Sequence, residues 1–154
     1  MIACIAKILT RPHLEKVLKK QLTPDLPTIK ARELDEQKSE CILLDTRSKK
    51  EYDVSHIDGA IWVNETFDPQ KIAAIIPDKN AKIIVYCTIG IRSDCYGIAL
   101  KKAGYTQVKN LYGSIFSWKN AGFPVVDAQG RPTQKVHVYS RVWSRYLVHG
   151  KKVY

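Results

Sequence analysis

The sequence carries its densest chemistry at residues 85–93, which read Val85-Tyr86-Cys87-Thr88-Ile89-Gly90-Ile91-Arg92-Ser93. A cysteine leaves an apolar run, a short stretch containing a glycine follows, and an arginine stands where a helix is expected to begin. A helix N-terminus offers unpaired N–H groups and a partial positive charge. A tight loop aims successive N–H groups inward as an anion-binding nest. Both effects favour thiolate, the form of cysteine that acts as a nucleophile. Gly90 gives the backbone freedom for a sharp curve, and Arg92 adds a permanent cation suited to an anionic reactant. Cys87 is therefore the candidate nucleophile. Thr88, Ile89, Gly90, Ile91 and Arg92 are the candidate substrate-binding loop. The alternative at this point is a buried, inert cysteine at the end of a strand.

The elements that must position such a loop are legible around it. Lys82–Tyr86, with Ile83, Ile84 and Val85 in succession, has the character of a strand buried on both faces. Arg92–Ala103 is predicted to be a helix closed by Gly104. Cys41–Leu44, Ala60–Val63 and Gln107–Leu111 read as further strands, and Ile72–Ile76, stopped by Pro77, as a helix. Ser48-Lys49-Lys50-Glu51 has the spacing of a capping box. Ile115–Asn120 is a further helix, closed by Gly122. Alternation of strand and helix implies a parallel α/β domain with helices on both faces of the sheet. Ligands in such sheets bind beyond the carboxyl ends of strands, which is where Cys87 lies.

Charge divides the chain into three. Residues 1–20 hold five Lys/Arg and one acid, residues 128–154 hold six Lys/Arg and no acid, and the net charge of +10 resides in these two ends. The expected organisation is a basic N-terminal helix and linker over residues 1–27, a neutral domain over 28–127, and a basic aromatic extension over 128–154. Residues 4–20 fit a basic helix with Leu14, Val17 and Leu18 on one face, and Pro24 and Pro27 mark residues 21–27 as linker. Basic ends suit an acidic protein partner, nucleic acid or an anionic membrane, or serve only solubility. Tyr139, Trp143 and Tyr146 alternate with Arg141 and Arg145. Such interleaving can bind single strands, but packing of the aromatics back onto the domain is preferred and nucleic acid is not expected. The four cysteines, Cys4, Cys41, Cys87 and Cys95, form no CxxC pair, so neither a zinc site nor a redox motif is implied. No cofactor is expected, since no nucleotide-binding glycine motif is present. The opening apolar run lacks a cleavage site, no run reaches membrane-spanning length, and a cytoplasmic setting with reduced cysteines is the expectation.

Four segments, taken in order, resemble the rhodanese-like domain: Ile42-Leu43-Leu44-Asp45-Thr46-Arg47; His56-Ile57-Asp58-Gly59-Ala60; the six-residue loop Cys87 to Arg92; and Leu111-Tyr112-Gly113 with Trp118, Gly122 and Pro124. The resemblance covers about residues 28–126, and Val136–Trp143 is similar to an extension of some bacterial members. It implies a three-layer α/β fold with a five-stranded, mostly parallel sheet. It also implies a sulfurtransferase in which Cys87 takes the outer sulfur of a donor such as thiosulfate as a persulfide and passes it to a thiol or cyanide acceptor. Inward N–H groups of residues 88–92 would stabilise both forms of the sulfur. Under the same resemblance Asp45 and Arg47 support the loop through hydrogen bonds, and His56 is structural rather than a general base. Trp118 is expected to pack against the sheet. Cys95 shares a helical face with Ile98, Ala99 and Lys102 and is expected to pack in the core, as is Cys41; Cys4 carries no information.

Two other functions compete. Cysteine-dependent phosphatases place five residues between cysteine and arginine, commonly with histidine before the cysteine. Here four residues intervene and Tyr86 precedes, so the enclosed space is smaller and suits a single sulfur. A non-catalytic persulfide carrier or protein-binding module is the stronger rival, because Ile89 and Ile91 are apolar company for a small doubly charged donor.

Overall fold

The computed structural model describes residues 13–154. Cys4 and the first part of the expected N-terminal helix lie outside the described residues. Residues 13–21 are helical (α1), with Leu18 buried and Leu14 and Val17 half-buried on the predicted face.

The remaining elements run β1 (Thr28–Ile29), α2 (Ala31–Gln37), β2 (Ile42–Asp45), α3 (Lys49–Val54), β3 (Ile61–Trp62), α4 (Pro69–Ile75), β4 (Lys82–Tyr86), α5 (Ile91–Lys102), β5 (Gln107–Leu111) and α6 (Ser114–Asn120). The first five strands make one sheet in the order β1-β5-β4-β2-β3, and every pairing is parallel. β4 is central, with Leu44 opposite Val85 and Asp45 opposite Tyr86 on one side and Ile84 opposite Lys109 on the other. Because side chains alternate along a strand, β4 feeds two cores. Ile84 and Tyr86 join α2, α6 and the C-terminal segment on one face, while Ile83 and Val85 join α4 and α5 on the other. The result is the expected three-layer α/β fold.

β4 and β5 have the predicted bounds, and the remaining predicted elements shift by one to three residues. α4 starts earlier because Asp68 caps it, accepting from the N–H groups of Gln70 and Lys71, with Pro69 in the first turn. Residues 28–40 carry β1, α2 and a 3₁₀ turn that the sequence did not suggest. β1 has only two residues, and α2 (Ala31-Arg32-Glu33-Leu34-Asp35-Glu36-Gln37) buries only Ala31 and Leu34, too few for a periodic signal. Residues 21–27 are not a free linker. Leu26 is buried against the α5 face, and Thr23 donates from both its N–H and its hydroxyl to the buried Asp94 of α5.

The basic C-terminal segment folds back onto the domain. It forms β6 (Val125–Val126), β7 (Pro132–Thr133), β8 (Lys135–His137), α7 (Arg141–Ser144) and β9 (Lys151–Val153). Val136, Val138, Tyr146 and Leu147 are buried in the same core as Trp118 and Phe116, with Trp143 packed against them. Of the tail aromatics, Tyr139 and the C-terminal Tyr154 are left largely exposed. Among the described residues no helix is long and apolar enough to cross a membrane.

If the tail shares the domain's core, Leu147→Ala will cost about 2–5 kcal/mol in equilibrium chemical denaturation. A detached tail would register below about 0.5 kcal/mol.

Candidate functional site

Cys87 follows β4 directly, next to the point where the chain, having built β2 and β3 outward to one edge, returns to the sheet centre. The loop from Cys87 to Gly90 is held by its carbonyls. The N–H groups of Ile115 and Phe116, in the first turn of α6, donate to the carbonyls of Cys87 (3.2 Å) and Thr88 (3.3 Å). These are donors that an α-helix leaves unpaired at its start. The Asn110 side-chain amide donates to the Gly90 carbonyl at 2.8 Å. With three carbonyls drawn outward, the curve of the loop turns N–H groups toward the sulfur. The Gly90 N–H reaches Cys87 Sγ at 3.2 Å. Gly90 takes φ 117°, a conformation that favours glycine, and serves as N-cap of α5. Of the N–H groups expected to line the loop, Gly90's is the one that contacts sulfur here.

The loop's other supports come from buried serines in the first turns of α6 and α5. Ser114 Oγ accepts from the Cys87 N–H at 3.0 Å, and Ser114 itself has φ 49°. Ser93 Oγ lies 3.5 Å from Sγ and 2.7 Å from Asn110 Oδ1. A hydroxyl has one proton, and the shorter contact assigns it to Asn110, leaving an oxygen lone pair toward the sulfur. Cys87 is 2% exposed, so only a small group approaches the thiol without movement of the loop.

Glu51 is the site's organising charge and was not singled out from the sequence. Its capping box with Ser48 forms as predicted, but the carboxylate does more. Oε2 accepts from the Ser48 N–H (3.0 Å), Ser48 Oγ (2.8 Å) and Arg92 Nη1 (3.0 Å). Oε1 accepts from Thr88 Oγ1 (3.0 Å) and Arg92 Nη2 (2.8 Å). These donors fill the lone pairs of a carboxylate that is 1% exposed. Burial disfavours the charge, but the hydrogen bonds and charge of Arg92, the charge of Arg47 and the Ser48 N–H prevail, holding Glu51 at about 2. Burial likewise opposes the Arg92 cation, but the hydrogen bond to Glu51, with the charges of Cys87, Glu51 and Glu65, more than offsets it, so the guanidinium's pKa is raised. The signal in the sequence was the capping box alone, which explains a buried acid by helix capping and conceals its second task.

Arg92 was expected to bind an anionic donor. It closes the loop instead through Glu51 and through a 2.8 Å bond from Nη2 to Thr88 Oγ1. Its outer face carries the Tyr139 ring at 4.3 Å, and Glu65 lies 3.8 Å from Nη1. Its charge is thus matched within the protein. Ile89 does not form an apolar rim: it is buried in the core, and Ile91, the first residue of α5, packs against the same cluster.

Asp45 and Arg47 form a buried pair, with Arg47 Nη2 at 2.6 Å from Oδ2 and Nε at 2.9 Å from Oδ1. Arg47 Nη2 also donates to the Ser55 carbonyl at 2.7 Å. No hydrogen bond runs from this pair to residues 87–92 among the described residues. The pair reaches the loop through Tyr86, over whose ring the guanidinium lies at 5.7 Å and whose hydroxyl accepts from the Ile57 N–H. Thr46, between them, donates from both its N–H and its hydroxyl to the Tyr86 carbonyl, one residue before the thiol. His56 stacks on Tyr52 at 3.8 Å, and its Nδ1 is 3.0 Å from the Tyr52 carbonyl; its contacts are those of a structural histidine. Trp118 is buried and donates to the Pro124 carbonyl. Cys95 is exposed. The face it shares with Ile98, Ala99 and Lys102 is the outer one, because Ser93, Asp94, Tyr96, Gly97 and Leu100 point inward. Cys41 is half-buried. Among the described residues no cluster of metal-ligating side chains occurs. A cleft of about 520 Å³ lined by Lys30, Tyr112, Asn120 and Tyr146 contains none of the loop residues.

The family model for the Rhodanese-like domain matches residues 29–121, well over half of the chain. The chain belongs to the rhodanese-like domain family. Curated relatives of this rhodanese-like chain include the thiosulfate sulfurtransferase PspE of Escherichia coli, 36% identical over 70 residues, which cover 46% of this chain and 67% of that protein. Another is a tRNA uridine(34) hydroxylase of Erwinia tasmaniensis, 32% identical over 94 residues, covering 56% of this chain and 27% of that protein. Several of the curated relatives are much longer, and the chain spans about a fifth to a quarter of their length. Among solved structures, a thiosulfate sulfurtransferase from Pseudomonas aeruginosa aligns with a TM-score of 0.64 at 26% identity, over 79% of this chain and 23% of that one. A rhodanese-related protein from Thermoplasma volcanium aligns at 0.58 and 27% identity, over 65% of this chain and 97% of that one.

Glu51→Gln removes the counter-charge of Arg92. A carboxyl held at about 2 against an ordinary 4.5 contributes roughly 3 kcal/mol of stability at neutral pH. Because the folded value is depressed, that contribution is complete above about 4.5 and disappears as pH falls toward 2. The stability gap between wild type and Glu51→Gln is therefore expected to be largest at neutral pH and to close across that acid window. Denaturation series at several pH values measure it, and a gap constant with pH would show that the charge is not its source.

Proposed function

We propose that this rhodanese-like domain is a sulfurtransferase that carries a sulfane sulfur on Cys87, from a donor such as thiosulfate to a thiol or cyanide acceptor. The observation that carries the reading is the Cys87 loop itself: a thiol at the C-terminal end of the central strand, contacted by the Gly90 N–H, in a loop whose carbonyls are tied away from the sulfur. The Cys87 thiolate attacks the outer sulfur of the donor. The bond to the inner sulfur breaks, sulfite leaves with the electron pair, and a persulfide remains on Cys87. An acceptor thiolate or cyanide then attacks the outer sulfur and returns Cys87 as thiolate. Cyanide leaves as thiocyanate, whereas a thiol leaves as its own persulfide. The transferred atom passes between nucleophiles with no proton relay. Relatives named as sulfurtransferases support sulfur transfer in general, and the choice of thiosulfate is part of the proposal.

A second reading is favoured by the pairing of Arg92 with Glu51. With its cation matched inside the protein, the loop offers little attraction to a doubly charged donor, and sulfur would be exchanged with a protein thiol or persulfide. The exposed basic residues of the tail, Arg141, Arg145, Lys151 and Lys152, would suit an acidic partner of that kind.

Intact-mass measurement after incubation with thiosulfate is expected to show a gain of one sulfur atom, about 32 Da, on wild type. Cys87→Ser would show no gain, and cyanide would release thiocyanate only with wild type. Sulfur gain without thiocyanate release would favour the carrier. Equal labelling of both proteins, or of neither, would remove Cys87 as the thiosulfate-reactive nucleophile.

A further inference from the structure

Tyr139 combines three features. Its φ is 64°, in the left-handed region that side chains other than glycine rarely occupy. It is 54% exposed, and Val142 and Tyr154 of the same tail are exposed too, although Val138 beside it is buried. The face of the Tyr139 ring lies 4.3 Å from the Arg92 guanidinium carbon. A strained backbone persists where surrounding contacts over-determine it, and these contacts can be named. The Tyr139 N–H donates to His137 Nδ1 at 3.0 Å, the Ser140 N–H turns back onto the Val138 carbonyl at 2.6 Å, and Ser140 Oγ caps α7. His137 is itself buried, and accepting at Nδ1 places its ring proton on Nε2, which has no partner. Burial, opposed by the nearby Glu51, keeps the imidazole below the ordinary histidine value and so neutral, as an accepting Nδ1 requires. β8 itself is fixed by parallel pairing with β9 and by Val136 in the core. The strain in the turn therefore ends in one product, an aromatic face set on Arg92.

We propose that Tyr139 is a positioning residue for sulfur transfer: the turn after β8 acts as a strap whose aromatic ring presses Arg92 onto Glu51 and Thr88, and so holds the Cys87 loop closed in its reactive shape. This rests on the sulfur-transfer reading above. A guanidinium prefers such an aromatic face. With its edge bonded to Glu51 and Thr88 and its face covered, Arg92 has little freedom to turn outward. The loop's closing residue is thereby set by a segment some fifty positions away in sequence, beyond residues 29–121 that match the family model.

Tyr139→Gly separates the strap's two aspects, because glycine accepts a positive φ without strain while removing the ring. Tyr139→Gly is expected to unfold at the wild-type temperature or above it, yet to lose about tenfold in kcat for sulfur transfer from thiosulfate to cyanide, with KM changed less than about twofold. Tyr139→Phe, which keeps the aromatic face, is expected to retain at least about half the wild-type rate. Nitrogen-15 NMR of the arginine side chains gives a readout independent of turnover. Arg92 in wild type and Tyr139→Phe should show resolved, slowly rotating guanidinium N–H signals, and Tyr139→Gly should lose them. A Tyr139→Gly protein with wild-type kcat, or a Tyr139→Phe protein as impaired as Tyr139→Gly, overturns the proposal. If wild type transfers no sulfur at all, the functional reading fails on its own and the NMR comparison decides the strap: Arg92 signals unchanged in Tyr139→Gly would overturn it.

Discussion

The structure around the thiol depends on one buried carboxylate. Glu51 belongs to α3, but its five hydrogen-bond donors come from the α3 cap, from the loop and from α5. A buried carboxylate lacking such partners would be costly, and breaking a buried pair leaves the opposite charge stranded. The network is therefore all or nothing, and it links elements that share no backbone pairing. Thr88 cannot turn away without leaving Oε1 short of a donor, and Arg92 cannot swing outward without leaving the buried Glu51 carboxylate without its counter-charge. The loop's shape is defended by charge as well as by carbonyl bonds.

That arrangement changes how Arg92 is to be understood. A lone arginine at the end of a cysteine loop invites an anion-binding interpretation, and a phosphate-sized pocket would require one. Here the cation is matched by Glu51 with Glu65 nearby, and the backbone donor left facing the sulfur is the Gly90 N–H. Sulfur transfer fits this better than phosphoryl transfer. In the proposed reaction the reacting atom would be the outer sulfur of a donor, which needs little space, and a persulfide on Cys87 would carry a single negative charge.

Much of the fold was legible because it follows local rules. β4 and β5 have the bounds read from the sequence: β4 is almost continuously apolar because both its faces are covered, whereas β5 alternates exposed Gln107 and Lys109 with buried Val108 and Asn110. The loop between β4 and α5 followed from those bounds. What escaped detection was set by distant partners. β1 is two residues long and exists because Thr28 and Ile29 find Asn110 and Leu111. Cys95 fell on the wrong side of α5 because two faces of that helix carry comparable spacing, and only the sheet decides which is buried. Ile89 went into the core because the loop curls back over it. Asn110 and Ser114, which hold the loop from β5 and α6, read locally as ordinary polar residues, and only folding brings them to Gly90 and Cys87.

The C-terminal segment shows how composition and pattern divide the work. Its excess of Lys and Arg suits an acidic partner, while the expected packing back onto the domain buries Val136, Val138, Tyr146 and Leu147, with Trp143 against them. A basic segment can do both, because a strand or short helix turns one side inward and leaves its charges outside. The hydrophobic side supplies the energy that fixes the segment, and a fixed segment can support a conformation, such as that of Tyr139, that a mobile tail could not sustain. Any partner drawn by the basic side would therefore dock on a rigid surface, one that touches the reactive loop at Arg92.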